Sequence, residues 1–181
     1  GRITGHNTDA EGAVRALCAA AGDLDGARIL VLGAGGAARA VVVGLKGQRA
    51  QVTLTNRTEA SGRALANELG CSFEPLAGLG GSSCDVIVNA SSAGMDLGRG
   101  PSRVPLGDAV FERRPLVMDI VYEPVDTAFL ARASAAGCRT IHGAEMLLHQ
   151  AARQFELYTG RAAPLAAMRC ARDRELASSK G

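Results

Sequence analysis

Short, unbroken apolar runs alternate along the chain with longer stretches in which apolar residues recur at helical spacing. Arg28-Ile29-Leu30-Val31-Leu32, Asp85-Val86-Ile87-Val88-Asn89 and Leu116-Val117-Met118-Asp119-Ile120 lack polar alternation, the pattern of strands buried on both faces of a parallel sheet. Gln51 to Thr55 reads as another strand, and Cys71 to Phe73 and Arg139 to Ile141 as short ones. Between them, the spacing predicts helices from Asp9 to Ala21, after Gly36 to about Lys46, from Thr58 to Leu69, from Thr127 to Ala136 and from Ala144 to Tyr158. Thr8-Asp9-Ala10-Glu11 has capping-box spacing before the first helix, and Gly22 and Gly137 are placed to end the first and fourth. Gly78 to Ser83 and Gly98 to Pro105 read as loops from their Gly, Ser and Pro content. Strands alternating with helices in this way predict an α/β fold, a Rossmann-like doubly wound parallel sheet flanked by helices, over residues 1–181 as one dinucleotide-binding unit.

Composition narrows the function without naming it. The chain is 47% hydrophobic and 21% charged, with 20 Lys+Arg against 18 Asp+Glu, too nearly neutral for a general nucleic-acid or membrane-surface binder. Aromatics are only 3%, which argues against stacking platforms for single-stranded nucleic acid. Five scattered cysteines without a Cys-x-x-Cys pair argue against a disulfide framework or zinc knuckle, and no apolar run approaches the ~18 residues of a membrane helix. A cytoplasmic protein is expected, so the sequons at Asn56 and Asn89 carry no weight. The chain opens at Gly1 on what reads as the end of a strand, so its amino terminus is expected to be a cut edge.

The chemistry-bearing residues fall where strands end. Gly33-Ala34-Gly35-Gly36-Ala37-Ala38 lies between a strand and a helix, the context in which G-x-G-x-x-small cradles a pyrophosphate on helix N–H groups. After the second strand come Asn56-Arg57-Thr58, at the position where an NAD site would place an acid for the ribose hydroxyls. A guanidinium there suits a 2′-phosphate, so the expected cofactor is NADP, although Thr58 as a helix cap and Arg57 as a solvated charge would also explain the residues. Asn89 to Met95 follows a buried strand, and its small residues, Ser91 among them, leave room for the nicotinamide ribose or simply form a tight turn. Asn7-Thr8-Asp9 is explained by a helix cap alone, and Met146 and Gln150 share a helix face that core packing and solvent would account for. His142 and His149 have no acidic third ligand nearby, so no metal site is expected.

Together these motifs resemble the shikimate dehydrogenase family over nearly the whole chain. Asn7-Thr8-Asp9-x-x-Gly12, Gly33 to Arg39, Asn56-Arg57-Thr58, Asn89-Ala90-Ser91-Ser92-x-Gly94-Met95, Asp119-x-x-Tyr122-x-Pro124-x-x-Thr127 and Gly143-x-x-Met146-Leu147-x-x-Gln150 occur in family order. The resemblance implies reversible, NADP-dependent reduction of 3-dehydroshikimate to shikimate, a step toward chorismate and the aromatic amino acids. It implies Asp9 as the catalytic, substrate-binding aspartate and Tyr122 and Gln150 as substrate contacts. It implies Gly33, Ala34, Gly35, Gly36, Ala37, Asn56, Arg57, Thr58, Asn89, Ser91, Ile120, Gly143 and Met146 as the cofactor site. The style of Ala144 to Met146 and Gln154 to Gly160 looks like the dehydrogenase half of a dehydratase–dehydrogenase fusion.

Two departures qualify the match. Ser61 stands where the family often has a second Arg, with Arg63 two positions on. The family's catalytic lysine belongs to an amino-terminal substrate domain, whereas the two lysines here are Lys46, in a crossover helix, and Lys180, near the tail. The chain therefore looks like the carboxyl-terminal, cofactor-binding part of the enzyme, inactive alone, its first and last predicted helices facing the missing domain with apolar faces partly exposed. A homodimer is a further expected partner arrangement. Rival readings are a quinate-using relative, a glutamyl-tRNA reductase-like oxidoreductase, which the Asn7-Thr8-Asp9 and Gln150 motifs oppose, and a nucleotide-binding module without catalysis.

Overall fold

A computed structural model of the chain describes residues 2–81, 83–95 and 103–178. Ser82, residues 98–102 of the predicted second loop, and Lys180 lie outside the described residues. Six strands, β1 (Arg28–Leu32), β2 (Gln51–Thr55), β3 (Ser72–Phe73), β4 (Val86–Asn89), β5 (Leu116–Asp119) and β6 (Thr140–Ile141), form one sheet. All pairings are parallel, in the order β3-β2-β1-β4-β5-β6. The connection order reverses between β1 and β4, the switch point at which a doubly wound sheet opens a crevice beyond its strand ends.

The apolar runs bury as strands because both sheet faces are covered. Ile29 and Val31 point into a core built with α1 (Thr8–Ala21), α2 (Gly36–Gly47), α3 (Glu59–Leu69) and Met146 of α5 (Gly143–Thr159). Leu30 and Leu32 point into a second core with α4 (Ala128–Ala135), Leu79 and Phe111. Phe111 packs on Phe129 with ring centroids 5.8 Å apart, so the aromatics here are core rather than platform. At the amino ends of the strands, Arg28 is bidentate to Asp85 and fixes the start of β4 beside β1.

Three expectations change. The cap of α1 is Asn7, whose side chain accepts the Asp9 N–H at 2.9 Å, and Thr8 is the first helical residue. Glu11 turns outward to Arg15 and Arg153 instead of closing a capping box. Part of the predicted loop at Gly78 is a 3-10 turn, Leu76–Gly81, and a further helix, α6 (Leu165–Ser178), follows where no element was expected. Gly12, Ala13, Ala16 and Leu17 of α1 and Met146, Leu148 and Ala152 of α5 bury, while Leu147 and Tyr158 keep α5 partly exposed, as expected. A Cβ on Gly12 would stand 3.0 Å from the Met146 carbonyl oxygen, so the two helices pack nearly backbone to backbone.

α6 buries no residue and is held through Arg169 and Arg172, both of which pair with Glu145 on α5. Burial pushes the Glu145 carboxyl up, but hydrogen bonds from both arginines outweigh it and hold the group below the usual range. One turn along α5, His149 is 6% exposed and its Nε2 has no hydrogen-bond partner among the described residues. Burial holds this imidazole below its ordinary pKa; Glu145 opposes the shift, and Arg169, Arg15 and Arg172 reinforce it.

Because the unfolded chain takes up the His149 proton more readily than the folded one, stability is expected to fall as pH drops below the ordinary histidine range of ~6.5. Urea unfolding between pH 7.5 and 5 checks this. His149→Gln should flatten that slope, and an unchanged slope in the variant would assign the pH dependence elsewhere.

Candidate functional site

A cleft of about 1020 Å³ opens at the carboxyl ends of the strands on both sides of the switch point. Register sets its floor: Leu32 lies between Thr55 and Asn89, and Asn89 pairs with Asp119, so the strand ends are level. Thr55, Asn89 and Asp119 are all fully buried.

One wall is the turn from β1 into α2. Gly33 has φ 129° and its N–H bonds to the Thr55 carbonyl oxygen at 2.9 Å. A Cβ there would stand 2.7 Å from the Ala90 carbonyl oxygen, so glycine is required both for its conformation and for the approach. Cβ atoms on Gly35 or Gly36 would meet nothing within 4 Å, leaving open space above the turn. Gly35 caps α2 without a side chain and the first turn of the helix carries no acid, so its free N–H groups and dipole face the cleft uncompensated.

The second wall follows β2. Asn56, Arg57 and Ser61 line the cleft, and Arg57 is exposed with no ion pair to any described residue. Asn56 Nδ2 donates to the Thr58 carbonyl and to Ser61 Oγ, bracing the corner. Thr58 occupies the cap position of α3, makes no side-chain cap bond and does not line the cleft. Arg63, the nearest substitute for a second cation, is taken up by Glu59 and by the Phe73 ring, 4.7 Å from its centroid. Arg39 is likewise spent on Glu68, which ties α2 to α3.

Across the switch point the lining is Ala90 to Ala93, Met95 and Ile120 to Glu123, with Arg103 at the rim. Beneath it Asp119 accepts hydrogen bonds from Asn89 Nδ2 at 2.9 Å, Val121 N at 3.1 Å and Thr127 Oγ at 2.8 Å. Burial pushes its carboxyl above the usual aspartate range, against the pull of those three bonds. Asp119 and Thr127 were visible as motif letters, but the sequence assigned them no role. Arg103 and Glu123 carried no signal at all.

Asp9 and Gln150 meet at the contact of α1 with α5, where Gln150 Nε2 donates to Asp9 Oδ1 at 2.6 Å. The pair does not line the cleft; α5 connects the two places. A Cβ on Gly143, the first residue of α5, would run into the carbonyl oxygens of Ile120 and Val121, so the helix rests directly on the cleft wall. Met146 is core, 5% exposed, and reaches the cleft only by supporting that wall. Tyr122 is half-exposed at the rim. Among the described residues no His, Cys, Asp and Glu group is arranged to hold a metal ion, and no helix is long and apolar enough to cross a membrane.

Comparison with known proteins bears on this geometry. Residues 16–101 match the family model described as shikimate / quinate 5-dehydrogenase, and 143–171 that of the shikimate 5′-dehydrogenase C-terminal domain. The chain is 43% identical over 169 residues to the shikimate dehydrogenase (NADP(+)) of Halobacterium salinarum, covering 92% of this chain and 62% of that protein. Against that of Syntrophobacter fumaroxidans the identity is 42% over 164 residues, covering 88% and 56%. The solved shikimate 5-dehydrogenase of Thermus thermophilus in complex with NADP(H) and shikimate superposes with a TM-score of 0.84 at 38% identity, covering 96% of this chain and 64% of that one. Quinate dehydrogenase from Corynebacterium glutamicum in complex with NAD gives 0.81 at 28%, covering 96% and 63%. The chain thus spans less than two thirds of the length of each relative.

Gly33→Ala combines a disfavoured backbone conformation with a clash against Ala90, and is expected to destabilise the fold by roughly 2 kcal/mol or more. Urea denaturation measures this, and a variant as stable as the parent would contradict the close approach.

Proposed function

The chain belongs to the shikimate dehydrogenase family, and on that premise we propose that it is the cofactor-binding portion of a cytoplasmic, NADP-dependent enzyme that reversibly reduces 3-dehydroshikimate to shikimate. The single observation that carries the reading is the cleft that straddles the switch point, with a glycine turn and an acid-free helix N-terminus in its middle and, at one end, Arg57 without an ion pair among the described residues. The residues fit the cofactor. The open space over Gly35 and Gly36 admits a pyrophosphate to the N–H groups of α2, Arg57 would take the 2′-phosphate at the corner that Asn56 braces, and the small residues near Ser91 and Ile120 leave room for the nicotinamide half. When bound, NADP(H) exchanges hydride with the carbon that bears the reacting substrate oxygen. Five free thiols suit a reducing compartment.

The oxygen of that carbon must gain or lose a proton, and Asp9 is the group proposed to do so. Gln150 holds its Oδ1, which orients the carboxylate and leaves Oδ2 for the substrate and for a lysine supplied by a separate substrate domain. Ile3, 98% exposed, and Tyr158, 86% exposed, support a covering domain on the side of α1 and α5. Tyr122 at the cleft rim is the further substrate contact proposed.

Calorimetric titration with NADP⁺ and NAD⁺ tests the cofactor assignment. NADP⁺ should bind more tightly, and Arg57→Ala should weaken it roughly tenfold to a hundredfold while leaving NAD⁺ nearly unchanged. Equal binding of both nucleotides, or none, would overturn it. In the complete protein, Asp9→Asn should lower kcat/KM by at least about a hundredfold. A change of only a few fold would return Asp9 to a structural role beside its helix cap.

A further inference from the structure

Asp119 is a buried carboxylate to which the hydride chemistry gives no task. A charge in that position is costly unless every lone pair facing protein is used, and a well-packed apolar residue would serve stability as well or better. Its partners come from three separate elements. Asn89 belongs to the end of β4, Val121 to the chain leaving β5, and Thr127 to the cap of α4, where its Oγ also accepts the Leu130 N–H. Asn89 extends the reach of the network by donating to the Ala93 carbonyl at 2.9 Å and accepting both the N–H and the hydroxyl of Ser91. One carboxylate therefore holds both segments that wall the half of the cleft opposite Arg57.

We propose that Asp119 is a positioning residue for the nicotinamide half of the cofactor, acting through Asn89 and Val121 to hold the two loops at a fixed separation. The proposal rests on the cofactor reading above and adds to it a division of labour: the Gly33 turn and Arg57 bind the adenosine half independently of this network. The two halves lie on opposite sides of the switch point, so their determinants separate in space.

The carboxylate accepts all three bonds. Asp119→Asn keeps the shape but turns one accepting oxygen into a donor, which leaves either the Thr127 hydroxyl or the Asn89 and Val121 donors unmatched. Thr127→Val removes the bond to Asp119 from the other end, together with the cap bond from the Leu130 N–H, and Thr127→Ser restores both. The probes are NADP⁺ and adenosine 2′,5′-bisphosphate, which carries the adenosine half alone, titrated into the chain and each variant with thermal unfolding followed in parallel.

Asp119→Asn and Thr127→Val are expected to weaken NADP⁺ roughly tenfold, to leave the bisphosphate within about twofold, and Thr127→Ser to behave as the parent. Equal weakening of both probes, or unchanged NADP⁺ binding, would reduce the network to a brace of the fold and overturn the proposal. If Asp119→Asn does not fold, Thr127→Val decides alone by the same split. A parent chain that binds neither probe would overturn the cofactor reading and this proposal with it. A parent that binds both, with variants showing no split, would overturn this proposal only.

Discussion

The backbone at Gly33 passes so near the Ala90 carbonyl that no side chain fits between them. That approach lies at the switch point, where β1 and β4 run side by side and the chain leaves them in opposite directions. The turn from β1 into α2 runs between the ends of its two neighbours, its Gly33 N–H bonded to the Thr55 carbonyl at the end of β2 and its Cα against the Ala90 carbonyl after β4. A residue with a Cβ would force the two apart and close the space above. The cleft, the open N-terminus of α2 and the positions of Arg57 and Ile120 on its two sides are all built around this close approach.

A second requirement concerns polar groups at the strand ends. Asn89 and Asp119 lie in the same row as Leu32, fully buried, and satisfy each other and the loops that follow them. On the far side of the sheet, α5 touches the carbonyl oxygens behind Ile120 and carries Gln150 to Asp9 on α1. The cleft wall and the Asp9 carboxylate are thus parts of one rigid path, although they do not share a cavity.

The strands were readable in the sequence because burial on both faces leaves unbroken apolar runs, and the glycine turn because only its context between strand and helix gives it meaning. Arg57 was readable as the basic residue in a place that favours an acid. Other features left less trace. Asn7 and Thr8 are adjacent capping residues, and which one caps depends on the path of the chain into α1. The helix spacing of Met146 and Gln150 could not separate a core residue from one reaching Asp9, because both directions lie on the inner side of α5. α6 has no buried face to announce itself, being held by Arg169 and Arg172 on a glutamate twenty-odd residues earlier. Nor does the motif around Asp119 disclose that its carboxylate joins three elements.

The central claim is that the cofactor spans the switch point, with its pyrophosphate on the Gly33 turn and its 2′-phosphate at Arg57. A crystal structure of this chain grown with NADP⁺ tests it most directly. The account predicts the phosphates over Gly35 and Gly36, the adenosine beside Asn56 and Arg57, and the nicotinamide ribose between Ser91 and Ile120. A nucleotide bound in the reverse sense, or away from the α2 N-terminus, would contradict it.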